Sequence, residues 1–179
     1  PIEDFEAYEE RLLAFVYRSA MIMKPVFEHA RTYAKRVCYA EGEEERVLRA
    51  VQLVVDEGLA RPVLIGRREV VRRRIEKLGL RLRMDEDFEL TDPEDDPRYR
   101  EYWTLYQHKM GRKGVSPATA RTVVRTDNTV IGALMVERDE ADALICGHTG
   151  IYQDHARHIE EILGRKAGTH QLSALTMLI

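Results

Sequence analysis

The chain has 179 residues, 33% of them charged and 44% hydrophobic, and a formal net charge of −3. That is enough for one core, with no global basic field to gather nucleic acid. No apolar run approaches the roughly 20 residues of a membrane helix, and the N-terminus carries no signal-peptide pattern. Cys38 and Cys146, the 2 cysteines, sit in apolar strand-like runs and read as buried thiols of a reducing compartment, so a cytoplasmic protein with no membrane or nucleic-acid partner is expected.

Residues 3–30 read as helical, with Phe5, Tyr8, Leu12, Phe15 and Val16 on one stripe. Lys24-Pro25 interrupts or kinks that pattern, and a second short helix runs to about Tyr33. The stripe needs cover from the domain or from another chain. Residues 1–34 are therefore expected as a helical connector and 35–179 as the domain proper. From residue 36 strands and helices alternate, which predicts α/β architecture: three layers, α/β/α, around a mainly parallel sheet. The expected order is strand 36–41, helix 44–57 ended by Gly58, strand 61–66, and a basic helix 67–77 ended by Gly79. A third strand is expected over 85–90, then an acidic loop and helix 98–110 with Tyr99, Tyr102, Trp103 and Tyr106. Ser116-Pro117 opens a helix as N-cap and first helical residue. A helix over 129–137, a buried strand 141–146 and a helix 151–163 follow. The apolar run Leu172–Ile179 stops without a polar ending, and Pro1 is not a natural start. Both ends read as cuts in a longer domain.

Two segments suggest a site. Lys35 to Ala50 reads as strand, tight turn and helix, with Gly42 at the turn and Arg46 near the free N–H groups of the helix start. A parallel strand ending in a helix N-terminus with an arginine beside it suits an anion. The plainer reading makes Arg46 an i,i+4 partner of an upstream glutamate. Gly147-His-Thr-Gly-Ile-Tyr-Gln-Asp-His-Ala-Arg157 repeats the arrangement. Gly147 and Gly150 allow close backbone approach, Thr149 can cap or donate, and Arg157 lies about two turns into the helix. Other signals have plain explanations. The arginines of 67–74 read as a solvated face paired with glutamates. The aromatic stripe of 98–110 reads as core or interface before it reads as an adenine platform. His148, His155 and His158 lack the carboxylate or cysteine partners of a familiar metal set, so no metal site is assigned. No Gly-x-Gly-x-x-Gly is present, and Ser19, Ser116 and Ser173 lack a nucleophile elbow.

Ala40-Glu-Gly-Glu-Glu-Glu-Arg-Val-Leu-Arg-Ala50 and Pro62-Val-Leu-Ile-Gly66 resemble the start of the phosphate acetyl/butyryltransferase domain. Asp95-Asp-Pro-Arg-Tyr-Arg100, Gly111-Arg-Lys-Gly114, Ile131-Gly-Ala-Leu-Met135 and Ala141-Asp-Ala-Leu-Ile-Cys-Gly147 extend the likeness over essentially the whole chain. Together they resemble the version of this domain fused to the C-terminus of large NADP-dependent malic enzymes, with residues 1–27 similar to the connector. The resemblance implies an acetyl-CoA or related acyl-CoA ligand held around Glu41, Gly42, Arg46, Gly147, Thr149, Asp154 and Arg157, and a homo-oligomer. It places NADP and Mg²⁺ or Mn²⁺ in the dehydrogenase part upstream, with no cofactor in this chain. Asp154 and Arg157 align with the Asp and Arg of the family's Asp-Thr-Leu-Arg-Pro, and Arg46 with another family arginine.

The departures are specific. Ile151-Tyr-Gln153 replaces a Ser/Thr-rich stretch, His158 replaces the proline after the arginine, and Ala40 replaces that of Pro-Glu-Gly. The family's Ser-Arg…Asp set, which carries acyl transfer, would lie beyond Ile179, so no catalytic residue is assigned here. The resemblance thus implies an acetyl-CoA-binding regulatory and oligomerisation domain of a malic enzyme. The alternatives are a working phosphate acetyltransferase domain and a purely structural oligomerisation module.

Overall fold

The computed structural model describes residues 23–169. The expected stripe Phe5–Val16 and the run Leu172–Ile179 lie outside them. Residues 23–33 are helical (α1) and include Pro25. Arg31 ties α1 to the end of α2, its Nε donating to the Glu57 carbonyl at 2.8 Å. The chain then alternates: β1 Arg36–Tyr39, α2 Glu45–Asp56, β2 Arg61–Ile65, α3 Arg68–Leu78, β3 Glu89–Thr91, α4 Tyr99–Met110, a 3₁₀ turn Gly111–Lys113, α5 Pro117–Thr126, α6 Asn128–Glu137, β4 Ala143–Ile145 and α7 Tyr152–Leu163.

The four strands lie in the order β3-β2-β1-β4, and every pair is parallel. Cys38 of β1 stands opposite Val63 of β2 and Leu144 of β4. Successive residues alternate across the sheet, so each face builds its own core. On one face Tyr39, Leu64 and Leu90 pack with Leu48 and Val51 of α2 and Val71 and Ile75 of α3. On the other, Cys38, Val63 and Ile65 pack under α4, α5, α6 and α7. This is the expected three-layer parallel architecture.

Local chemistry sets the helix ends. Gly79 closes α3 at φ 63°, a left-handed cap that glycine adopts without a Cβ penalty. The Ser116 hydroxyl accepts from Thr119 N at 3.1 Å, with Pro117 as first helical residue. Asp127 caps α6 by accepting from Thr129 N at 2.9 Å and Val130 N at 3.2 Å. Thr129 through Met135 are all buried, as expected of a helix that is apolar on every side. It lies directly on the sheet: a Cβ on Gly132 would stand 2.5 Å from Leu144 Cδ1.

Some expectations need correction. The third strand is Glu89–Thr91 rather than 85–90, because Asp85 takes a positive φ of 65° and begins a turn that Arg83 and Asp87 close. The last strand is short and far from buried: Ile145 is 52% exposed. It borders the sheet among the described residues. Cys146, just beyond it, is accordingly only half-buried, whereas Cys38 is fully enclosed and its thiol is pushed up to about 12 by burial. The plain reading of the aromatic helix holds, and that of the basic helix holds for most of its arginines, with Arg68 on Asp85 rather than a glutamate and Arg73 in no ion pair among the described residues. Tyr102 and Tyr106 are core, and Arg67, Arg68, Arg72 and Arg74 each meet a carboxylate.

Candidate functional site

The two predicted loops meet at the C-terminal edge of the sheet because β1 and β4 are parallel neighbours. Glu41 joins them. Its Oε1 accepts from Gly147 N at 2.7 Å and from His148 N at 3.1 Å. Ala40 N donates to the Ile145 carbonyl at 3.0 Å, and Asn128 Nδ2 to the Ala40 carbonyl at 2.9 Å. Glu41 and Gly147 are thus part of one hydrogen-bonded unit. Gly42 serves packing rather than a left-handed turn. Its N donates to the Ile65 carbonyl at 3.0 Å, and a Cβ there would stand 2.7 Å from that oxygen and 2.9 Å from Leu64 Cβ. Gly147, at φ 96°, does need a glycine for its backbone.

Carboxylates fill several other donor groups along this edge. Glu43 accepts from Arg67 N at 2.9 Å and grips its guanidinium with both oxygens, at 2.8 Å each. That guanidinium holds the Glu43 carboxyl below its ordinary range. Asp92 accepts from Arg68 N at 2.9 Å. The N-terminus of α3 is therefore occupied from two sides. No side chain caps α2 or α7, the two helices that follow the predicted loops. Their first turns keep the partial positive charge of unpaired N–H groups.

The predicted arginines sit differently. Arg46 is exposed and makes no ion pair among the described residues. The residue four before it is Gly42, and Glu43, three before it, serves Arg67, so the i,i+4 reading of Arg46 fails. Arg157 pairs with Asp154 at 2.9 Å on an open surface, with side chains 58% and 56% exposed. A cavity of about 320 Å³ opens at this edge, lined by Glu41, Glu43, Arg67, Arg125, Asn128 and Thr149 among others. Glu41 and Thr149 are the predicted residues that line it; Gly42, Arg46, Gly147, Asp154 and Arg157 do not. Thr149 does not cap α7, whose N-cap is Ile151.

Two histidines organise the second loop. His155 Nε2 lies 2.7 Å from the Thr149 carbonyl and donates to it, and Nδ1 lies 2.8 Å from the Thr129 hydroxyl. In the tautomer with the proton on Nε2, Nδ1 can accept from the Thr129 hydroxyl. Gly150 fits against this ring, since a Cβ would stand 2.8 Å from Nε2. His158 Nε2 lies 3.3 Å from Asp127 Oδ2, which ties α7 to the cap of α6. Among the described residues no three His, Cys, Asp or Glu converge as a metal site. The Asp127 cap was legible as Asp-Asn-Thr-Val before an apolar helix. The histidine contacts carry no local sequence signal, because Thr129 lies 26 residues from His155.

A family model described as phosphate acetyl/butaryl transferase matches residues 21–179. Over 180 residues, all of this chain and 23% of the relative, the chain is 54% identical to the NAD-dependent malic enzyme of Rhizobium meliloti (strain 1021). Over 179 residues, all of this chain and 24% of the relative, it is 46% identical to the NADP-dependent malic enzyme of Escherichia coli (strain K12). The chain thus spans about a quarter of these relatives. The EutD phosphotransacetylase from Staphylococcus aureus superposes with a TM-score of 0.72 at 20% identity, over 83% of this chain and 45% of that one, which bears on the fold. Family model, parallel sheet and helix order agree: the chain belongs to the phosphate acetyl/butaryl transferase family.

Proposed function

We propose that this chain is an acyl-CoA-binding regulatory and oligomerisation domain of a malic enzyme, with acetyl-CoA as the first ligand to test. The parent would oxidise malate to pyruvate and CO₂, using NAD or NADP and Mg²⁺ or Mn²⁺ held outside this chain. The similarity pattern carries the reading. The whole chain is 54% and 46% identical to two malic enzymes, whereas its likeness to a solved phosphotransacetylase is 20% and concerns the fold. The geometry is compatible with an anionic ligand. Uncapped starts of α2 and α7, with Arg46 and Arg157, follow neighbouring strands and suit phosphate groups. Exposed Val26, Phe27 and Tyr33 of α1, and Ile145, Ile151 and Tyr152 near β4, offer apolar surface for subunit contacts.

Regulation is favoured over catalysis at this edge by the use of its donors. Acyl and phosphoryl transfer need preorganised donors aimed at developing charge. Here Glu41 already occupies the Gly147 and His148 amides. A working phosphate acetyltransferase is the second reading, supported by the family match. The test is malate oxidation by the full-length protein titrated with acetyl-CoA, alongside an acetyl phosphate exchange assay. Inhibition without exchange supports the regulatory reading. Exchange activity supports the transferase, and neither response leaves a structural module. Arg46→Ala and Arg157→Ala should each weaken inhibition about tenfold or more, the value of one charge-assisted phosphate contact, without abolishing malate oxidation. Superimposable inhibition curves would remove both arginines from the ligand.

A further inference from the structure

Arginines in this domain are mostly neutralised by a carboxylate: Arg67 by Glu43, Arg68 by Asp85, Arg72 by Glu69, Arg98 by Asp96. Two on α5 are held in another way. The Arg121 guanidinium lies over the Trp103 ring, 4.4 Å from its centroid, and that of Arg125 lies over the Tyr99 ring at 4.6 Å. Neither makes an ion pair among the described residues, and both are exposed.

The platform beneath them is fixed. Tyr99 and Trp103 are partly buried against the core that contains Tyr102 and Tyr106. The Tyr99 hydroxyl donates to the Arg121 carbonyl at 2.7 Å, which locks α4 to α5 beneath both side chains. A guanidinium laid on a ring keeps its N–H edge directed outward, while the ring fixes its position without consuming its charge. Arg121 and Arg125 are one turn apart, a rise of about 6 Å. Two fixed forks at that spacing match the two ends of a diphosphate better than a single carboxylate.

Their position adds a second argument. Arg125 lines the cavity at the C-terminal edge of the sheet, alongside Thr126, Asn128 and Thr149. Of the four glutamates that line it, Glu43 pairs with Arg67, Glu44 lies 3.7 Å from the Arg74 guanidinium, Glu41 accepts two amides and Glu94 is exposed to solvent. A chain molecule with a diphosphate near one end can rest that group on α5 and extend its remainder into the cavity.

We infer that Arg121 and Arg125, stacked on Trp103 and Tyr99, form a diphosphate-binding pair at the mouth of the strand-end cavity, for a ligand of the nucleotide diphosphate class. This rests on the acyl-CoA reading above and deepens it, by assigning the diphosphate to α5 rather than to Arg46 or Arg157.

The experiment is isothermal titration of the full-length protein with acetyl-CoA, ADP and inorganic pyrophosphate. The variants are Arg121→Ala, Arg125→Ala, Arg121→Lys and Arg125→Lys, with Arg73→Ala, an exposed arginine of α3, as comparison. Circular dichroism checks that each remains folded. Each alanine variant should lose about tenfold or more in affinity for all three ligands. The lysine variants should recover only part of it, because lysine keeps charge but neither the fork nor the stacking. Binding to wild type should weaken with added salt, since the pair is exposed. If acetyl-CoA binds and the α5 variants match wild type, the diphosphate lies elsewhere: this inference is overturned and the acyl-CoA reading stands. If acetyl-CoA does not bind but ADP and pyrophosphate do, and the alanine variants lose them, the acyl-CoA reading falls and the diphosphate pair stands. If none of the three binds, both fall.

Discussion

Replacing Gly42 with alanine tests how closely the β1–α2 loop lies on β2. The new Cβ would stand 2.7 Å from the Ile65 carbonyl oxygen, 2.9 Å from Leu64 Cβ and 3.1 Å from Ile65 N. Two of these three contacts are backbone atoms of a buried central strand and cannot swing away. Reaching ordinary contact means moving the loop by about 0.7 Å, which stretches the 3.0 Å bond from Gly42 N to Ile65 beyond useful range. Overpacking costs about 1–3 kcal/mol, and the weakened bond about 0.5–1.5 kcal/mol more. Reduced freedom of the unfolded chain returns about 0.4–1 kcal/mol, as Gly42 does not have a left-handed φ. The net expectation is a loss of about 2 kcal/mol. In urea, with a slope of about 2 kcal/mol per molar, the midpoint should fall by about 1 M. Trp103, the 1 tryptophan of the chain, reports the transition by fluorescence. Gly58→Ala is the control. Its Cβ meets nothing within 4 Å and carries only the strain of φ 64°, about 1 kcal/mol. A Gly42→Ala midpoint within 0.2 M of wild type, by an order-of-magnitude margin of about 0.4 kcal/mol, would refute the packing argument.

Acid should find the Glu43–Arg67 contact. The Glu43 carboxyl is held below its ordinary 4.5 chiefly by its hydrogen bond with the Arg67 guanidinium. Its stabilisation is therefore complete above that value and lost as pH falls through the lower folded one. Acid-unfolding curves of Glu43→Gln should be flatter below about pH 4 than those of wild type, and identical slopes would count against the pair. Alkylation of the native chain at about pH 8, mapped by mass spectrometry, should label half-buried Cys146 slowly and spare Cys38, whose thiol is enclosed and pushed up to about 12. Labelling of Cys38 at the rate of Cys146 would contradict the packing around it. Glu41→Ala removes the acceptor of the Gly147 and His148 amides. Amide exchange at both positions should accelerate, and an unchanged rate would place those protons in another bond.

The parts of this fold that were legible are those written in neighbouring residues. Ser116-Pro117 announced α5, and Gly79 announced the end of α3. The strand–helix alternation gave the parallel sheet and so the meeting of the loops that carry Gly42 and Gly147. What stayed hidden depends on distant partners. Glu41 looked like a ligand residue, but its acceptors' donors lie 106 and 107 residues away. The apolar run 141–146 looked buried, and nothing local says that β4 borders the sheet among the described residues. Gly42 was read as the residue of a tight turn and does lie in one, but the close approach to Ile65 that excludes any side chain there leaves no separate mark in the sequence. Arg121 and Arg125 were passed over, since their partners are ring faces on another helix.

The wrapping of α6 also sets the order in which this edge opens. Seven consecutive buried residues, Thr129 through Met135, leave no face on which that helix can loosen by admitting water. Its amide protons should exchange only through the largest opening of the domain, the slowest class in a native-state hydrogen-exchange profile. The loop around Thr149 and Gly150 is exposed and held by single bonds such as His155 to the Thr149 carbonyl, so it belongs to the fast class. Asn128, next to that slow unit, ties one wall of the cavity to it, while Thr149 on another wall belongs to the fast class. A ligand arriving here would therefore dock against a surface fixed for the lifetime of the fold, and the free energy of ordering it would fall almost wholly on a few residues after β4.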